Sequence, residues 1–159
     1  MKIIKMLFLL FSITSFGQVS LLKEVRRQND VGKYKEGKEI LLTIDTVGFT
    51  EINKAKYLFE IAICKINLEG EIVKSYQILL DAKRLLNNQS DDLLFKLNDE
   101  LIYSQQSFDD SENTANEIMA ENYAIAEKTK DPEHIIYCNG YLFYQIDNNK
   151  RNMINLKLI

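Results

Sequence analysis

Val31-Gly32-Lys33-Tyr34-Lys35-Glu36-Gly37-Lys38-Glu39-Ile40-Leu41 is the stretch on which the fold turns. The segment before it, from Leu21 to about Asn29, carries apolar residues at helical spacing, and Val31-Gly32-Lys33 interrupts it. Glycine beside polar residues is a helix stop. Tyr34 to Ile44 then resumes as a second helix, with Gly37 one turn in and Leu41 and Ile44 following on the same side. A glycine inside a helix weakens it relative to alanine. The stretch therefore reads as a helix-turn-helix pair.

The same pattern continues outward. Lys54 to Ile66 is a third helix, with Tyr57, Leu58, Ile61, Ala62 and Lys65 along one side. Asp45 to Asn53 before it reads as a loop, and Asn67-Leu68-Glu69-Gly70 after it as a turn. Ile72 to Leu86 is a fourth helix. Asn87 to Ser90 is a loop, with Ser90 or Asp91 as the N-cap of a fifth helix, Asp92 to Tyr103. A polar stretch from Ser104 to Glu112 precedes a sixth, Asn113 to Thr129. Asp131-Pro132 opens a seventh, to about Ile146. Asp147-Asn148-Asn149 is expected to turn into a last helix reaching Ile159. Period-two alternation is nowhere sustained. One proline and six glycines in 159 residues suit long helices better than a sandwich or barrel rich in tight turns.

Composition bounds the function. Hydrophobic residues are 46% and charged residues 27%, as in ordinary globular chains. Lys2 and Lys5, the apolar run Met6–Ile13, and Ser15 and Gly17 at the −3 and −1 positions read as a signal peptide, residues 1–17, cleaved before Gln18. A buried N-terminal helix is the competing reading. Removal of residues 1–17 takes two lysines and no acid, so the formal charge moves from −3 to −5. A mildly acidic chain offers no electrostatic footprint for nucleic acid. No second long apolar segment follows, so no stable membrane insertion is expected after cleavage, and the location is periplasmic or secreted. An exported chain can pair its cysteines, Cys64 and Cys138, but each sits in an apolar helical run and reads better as a small buried hydrophobe.

These paired helices resemble tetratricopeptide repeats. Gly32-Lys33-Tyr34 fits the turn of that family, and Gly37 its small position in the second helix. Leu58, Ile61 and Ala62 fit the first helix of a second unit, and Ser75, Leu79 and Ala82 its second helix. Leu94, Leu97 and Asn98, then Ala115, Met119 and Asn122, make the third. Ile136, Asn139, Gly140 and Phe143 open a fourth, before Asn152. Pro132 matches the proline that commonly precedes a new repeat. The pattern has a packing cause: two helices approach closely only where one side chain is small. Glu24, Lys65, Asn98 and Asn152 depart from it. The resemblance implies an all-α domain over 18–159, a superhelical stack of about four hairpins. Its units lie near 18–54, 55–90, 91–132 and 133–159, the last incomplete, and most exceed the usual spacing of about 34 residues.

In such stacks the first helices line a concave groove. The resemblance places Arg26, then Phe59, Ile63 and Ile66, then Tyr137, Tyr141 and Tyr144 on that surface. The tyrosines stand at i, i+4 and i+7 of one helix; the bland alternative is that they pack within the fold. The expected partner is a protein or peptide.

Catalytic machinery is not legible. His134, the single histidine, reads as a capping or surface residue just inside a helix start. No Cys/His cluster has metal-ligand spacing, and no glycine-rich phosphate loop occurs. Acidic pairs such as Asp91-Asp92 and Asp99-Glu100 do not face each other on a helix and read as solvated surface. The sequence therefore reads as a non-catalytic binding module without cofactor or metal. The alternatives are a truncated or detached sensor region, resembling those of bacterial histidine kinases and transcription regulators, and a small exported enzyme.

Overall fold

The structure, a computed structural model, describes residues 17–105, 108 and 111–156. The expected leader, apart from Gly17, and the side-chain surroundings of Asn152 lie outside the described residues. Seven helices and no strand occur among those residues: α1 (17–30), α2 (Tyr34–Leu41), α3 (Glu51–Glu69), α4 (Ile72–Leu86), α5 (Asp91–Gln105), α6 (Ser111–Thr129) and α7 (Pro132–Leu156). From α2 onward each helix packs most extensively on its neighbours in the chain, and α3 with α4 is the largest contact.

The opening hairpin forms as its sequence requires. Leu22, Val25 and Asn29 bury one side of α1. The helix ends where Gly32 takes a left-handed φ of 75°, its N–H donating to Asn29 O at 2.9 Å. L-residues other than glycine rarely adopt that conformation. At Gly37 a Cβ would collide with the Asn29 side-chain oxygen, so the glycine is what lets α2 lie on α1. Leu22, Val25, Leu41, Ile44, Phe49 and Cys64 make a small first core.

The chain enters α3 earlier than the composition of 45–53 indicates. Thr50 accepts a hydrogen bond from the Asn53 amide at 3.3 Å and caps a helix that starts at Glu51. Phe49, in the connecting loop, folds back into the first core. α2 ends at Leu41 and leaves Ile44 to pack from the loop. α3 then serves two cores. Ala55, Phe59, Ala62 and Ile63 face the second, larger one, while Cys64 and the half-buried Tyr57 and Ile61 face the first. Gly70, at φ 64°, ends the helix, and α4 packs back through Ser75, Leu79, Ala82 and Leu86. Ala62 and Ala82 are both wholly buried where these helices meet.

Helix α5 is the centre of the second core and buries residues nearly all round, Leu97 and Leu101 completely. Each such leucine contributes about 1.5–3 kcal/mol over an exposed one. Ser90 caps α5, its Oγ accepting from the Leu93 amide at 3.4 Å. Across from α5, α6 contributes Ala115, Ile118, Met119, Ile125 and Ala126. Asn98 and Asn122, fully buried on the two facing helices, meet by a hydrogen bond of 3.0 Å. The departure at Asn98 is thereby accounted for in part: its Nδ2 donates across the helix pair, while its Oδ1 is buried without a hydrogen-bond partner among the described residues.

Three expectations for the end of the chain are corrected. No turn occurs at Asp147-Asn148-Asn149, and α7 runs unbroken from Pro132 to Leu156. With no returning helix among the described residues, Ile136 and Phe143 are 70% and 75% exposed, and a Cβ at Gly140 would meet nothing within 4 Å. The residues assigned to a fourth helix-helix contact are thus not used as one. His134 is neither cap nor surface residue. It is buried and stacks on Phe95 of α5, ring centroids 3.8 Å apart, with Nδ1 3.4 Å from Thr129 Oγ1. Cys64 and Cys138 are both buried, one in each core, as small hydrophobes.

Candidate functional site

The odd-numbered helices approach one another on one side of the molecule. α1 meets α3 where Arg26 reaches Glu60, and α5 meets α7 where Phe95 takes the rings of His134 and Tyr137. Between α1, α3 and α5 lie two adjoining cavities of about 530 and 240 Å³ that share Arg26, Phe59 and Lys96. They form one groove. Its larger end is lined by the C-terminal parts of the three helices, and its smaller end by their N-terminal parts.

Four of the seven expected contact residues come together there. Arg26, Phe59, Ile63 and Ile66 all line the larger cavity. The tyrosine stripe does not join them. Tyr137 is half-buried, edge-on to Phe95 at 5.4 Å, and donates its hydroxyl proton to Asp99. Tyr141 is also half-buried, its hydroxyl 3.2 Å from Asn116 on α6. Tyr144, 62% exposed, lies on α7 and lines neither cavity. A separation of i, i+4, i+7 spans enough of a helix for its ends to meet different neighbours.

The groove also holds residues that spacing did not bring forward. Lys96, Asp99, Glu100 and Tyr103 line it from α5, and Asn29, Asp30 and Tyr34 from the first hairpin. Their spacing of three, four and seven along α5 is a one-face signature. Reading Asp99-Glu100 as solvated surface is corrected: both are half-buried in this wall.

The charges are unevenly compensated. Arg26 bridges to Asp30 at 3.0 Å and to Glu60 at 3.4 Å, and its guanidinium sits 5.2 Å over the Phe59 ring. Glu60, only 3% exposed, also accepts from Asn29 Nδ2 at 2.7 Å. Burial raises its pKa, and Asn29 and Arg26 work against that rise. Burial likewise raises the pKa of Asp99, opposed by the Tyr137 hydroxyl. Glu100 is pushed up to about 7 by burial and then by Asp99, with Arg26 pulling the other way. Lys96, the nearest cation on α5, is turned to Asp92 at 3.0 Å.

The arrangement is suited to holding a ligand by shape and charge. Among the described residues no group of three or more His, Cys, Asp or Glu side chains is placed to hold a metal ion. No helix among them is long and apolar enough to cross a membrane. Comparison with known protein families, curated proteins and solved structures finds no match to this chain.

Proposed function

We propose that this chain is a non-catalytic, tetratricopeptide-like module that binds a protein or peptide along the groove between α1, α3 and α5, and that it acts outside the cytoplasm after loss of residues 1–17. The observation that carries the reading is the convergence of Arg26, Phe59, Ile63 and Ile66 on one cavity of about 530 Å³. Aromatic and aliphatic side chains bordered by an arginine are the usual core of a protein contact. The half-exposed ring of Tyr103 adds a large surface at little cost in conformational entropy.

The test is capture of degenerate, end-capped peptide pools by the full chain, compared with Tyr103→Ala and Ile66→Ala. Each substitution weakens binding by about 1–3 kcal/mol while circular dichroism shows unchanged helicity. Unaltered capture by both folded variants would remove the groove as the contact.

A further inference from the structure

The two ends of the groove differ in charge. Lys23, Arg26, Lys56 and Lys96 line the smaller cavity, against Glu60 and Asp92. Asp30, Asp99 and Glu100 line the larger one, against the shared Arg26 and Lys96. At that end Arg26 is already engaged by Asp30 and Glu60, and Lys96 by Asp92. Asp99 accepts only the Tyr137 hydroxyl, and Glu100 makes no hydrogen bond or ion pair among the described residues. Two adjacent, half-buried carboxylates thus face a cavity without a cation of their own.

Their surroundings narrow the chemistry that completes them. The carboxylates are not gathered as a metal site is, since no such group occurs among the described residues. The same cavity has Tyr34, Tyr103 and Ile66 on its walls. Aromatic and aliphatic walls around a carboxylate suit a long side chain with an apolar stem and a charged head.

We propose that the carboxylate-rich end of the groove seats a lysine or arginine side chain of the bound peptide, with Glu100 and Asp99 as counter-charges and Tyr34 and Tyr103 along its stem. This rests on the reading of the groove as the peptide-binding face. The basic end of the same groove disfavours a second cationic residue there, so the peptide's charge pattern fixes its direction.

Docking of the cation is linked to protonation. Glu100 faces Asp99 and Lys96 on its own helix, Arg26 and Asp30 from α1, Tyr34 from α2 and Glu60 from α3, with Tyr137 of α7 on Asp99. With its pKa at about 7, Glu100 is partly protonated at neutral pH, and an arriving cation drives the proton off. Binding of a basic peptide therefore strengthens as pH rises through that value.

The experiment measures binding of the full chain to three end-capped decapeptide pools that share every degenerate position and differ at one fixed central residue: lysine, norleucine or glutamate. At about pH 8 the lysine pool binds about tenfold more tightly than the norleucine pool, and the glutamate pool most weakly. Glu100→Gln and Asp99→Asn each reduce the lysine advantage, read as the ratio of lysine-pool to norleucine-pool affinity in the same variant, to about twofold or less. The advantage also shrinks between about pH 8 and about pH 6 in the unsubstituted chain. Either folded variant suffices should the other fail to fold. Equal binding of lysine and norleucine pools, or a lysine advantage that survives both substitutions, overturns the inference while a Tyr103→Ala effect preserves the groove reading. No binding by any pool, or binding indifferent to Tyr103→Ala, overturns both.

Discussion

Asn98 of α5 and Asn122 of α6 join their amides inside the second core, Nδ2 to Oδ1 at 3.0 Å. Both side chains are completely buried. Asn122 turns its own amide to Phe95 O at 3.4 Å, and Asn98 also reaches Glu121 at 3.1 Å. Removing Asn122 takes one of the two acceptors of Asn98 Nδ2, in a core where Asn98 Oδ1 already has no partner. Asn122→Leu should cost about 1–3 kcal/mol, and the paired Asn98→Leu, Asn122→Leu change less than the two single costs added. Urea unfolding of the four chains measures the coupling. Strict additivity would mean that the two amides do not depend on each other.

Glycines 37 and 140 should respond oppositely to alanine. At Gly37 the new methyl meets the buried side chain of Asn29, which also holds Glu60, so the change should destabilise by about 1 kcal/mol or more despite better helix propensity. At Gly140 nothing lies within 4 Å, and alanine should stabilise by about 0.5–1 kcal/mol. Thermal unfolding of the two variants gives the signs. A stabilising Gly37→Ala would place α2 farther from α1.

Stability should pass through a maximum on the acid side of neutrality. Glu100, at about 7 in the folded chain against an ordinary 4.5, binds its proton more tightly when folded. Its contribution is least favourable above pH 7 and grows as pH falls from about 7 to about 4.5, by up to about 3 kcal/mol. Glu60, also raised by burial, acts in the same sense. Glu24 and Glu71 act oppositely. Hydrogen bonds from Arg27 and Gln28, and from Lys74 and Lys65, hold them at about 2, so the stability they add is lost below about pH 4.5. Urea midpoints across this range should rise and then fall, and Glu100→Gln should flatten the rise. A midpoint that climbs steadily from acid to pH 8 would contradict the burial of Glu100.

Export has its own measurement. Mass spectrometry of the protein from its native cell should find a chain beginning at Gln18, open or cyclised to pyroglutamate. Intact Met1 in the cytoplasm would end the proposal of a role outside it.

Much of the architecture was legible because it rests on local rules. Gly32 and Gly70 stop helices by their left-handed conformation, and Ser90 starts one by its hydroxyl. The wholly buried Ala62 and Leu97 were visible as one-sided spacing, and Ala82 through the resemblance to a repeat. The end of the chain was less so. Asp147-Asn148-Asn149 looks like a turn, yet a helix carries through it, because Asp and Asn inside a helix cost only tenths of a kcal/mol each relative to alanine. The tyrosine stripe failed for a tertiary reason: Tyr137 and Tyr141 face α5 and α6, which spacing within α7 cannot reveal. Glu100 was hidden because its half-buried environment is created by α1 and α3, distant in sequence.

Hydrogen exchange tests the central claim most directly. The full chain is compared with and without a peptide selected from the lysine pool. The groove account predicts slowed exchange concentrated in α1, α3 and α5, around Arg26, Phe59–Ile66 and Asp99–Tyr103, and little change in α7 beyond Tyr137. Protection centred instead on the exposed Ile136, Phe143 and Tyr144 face of α7, with α1 and α3 unaffected, would contradict it.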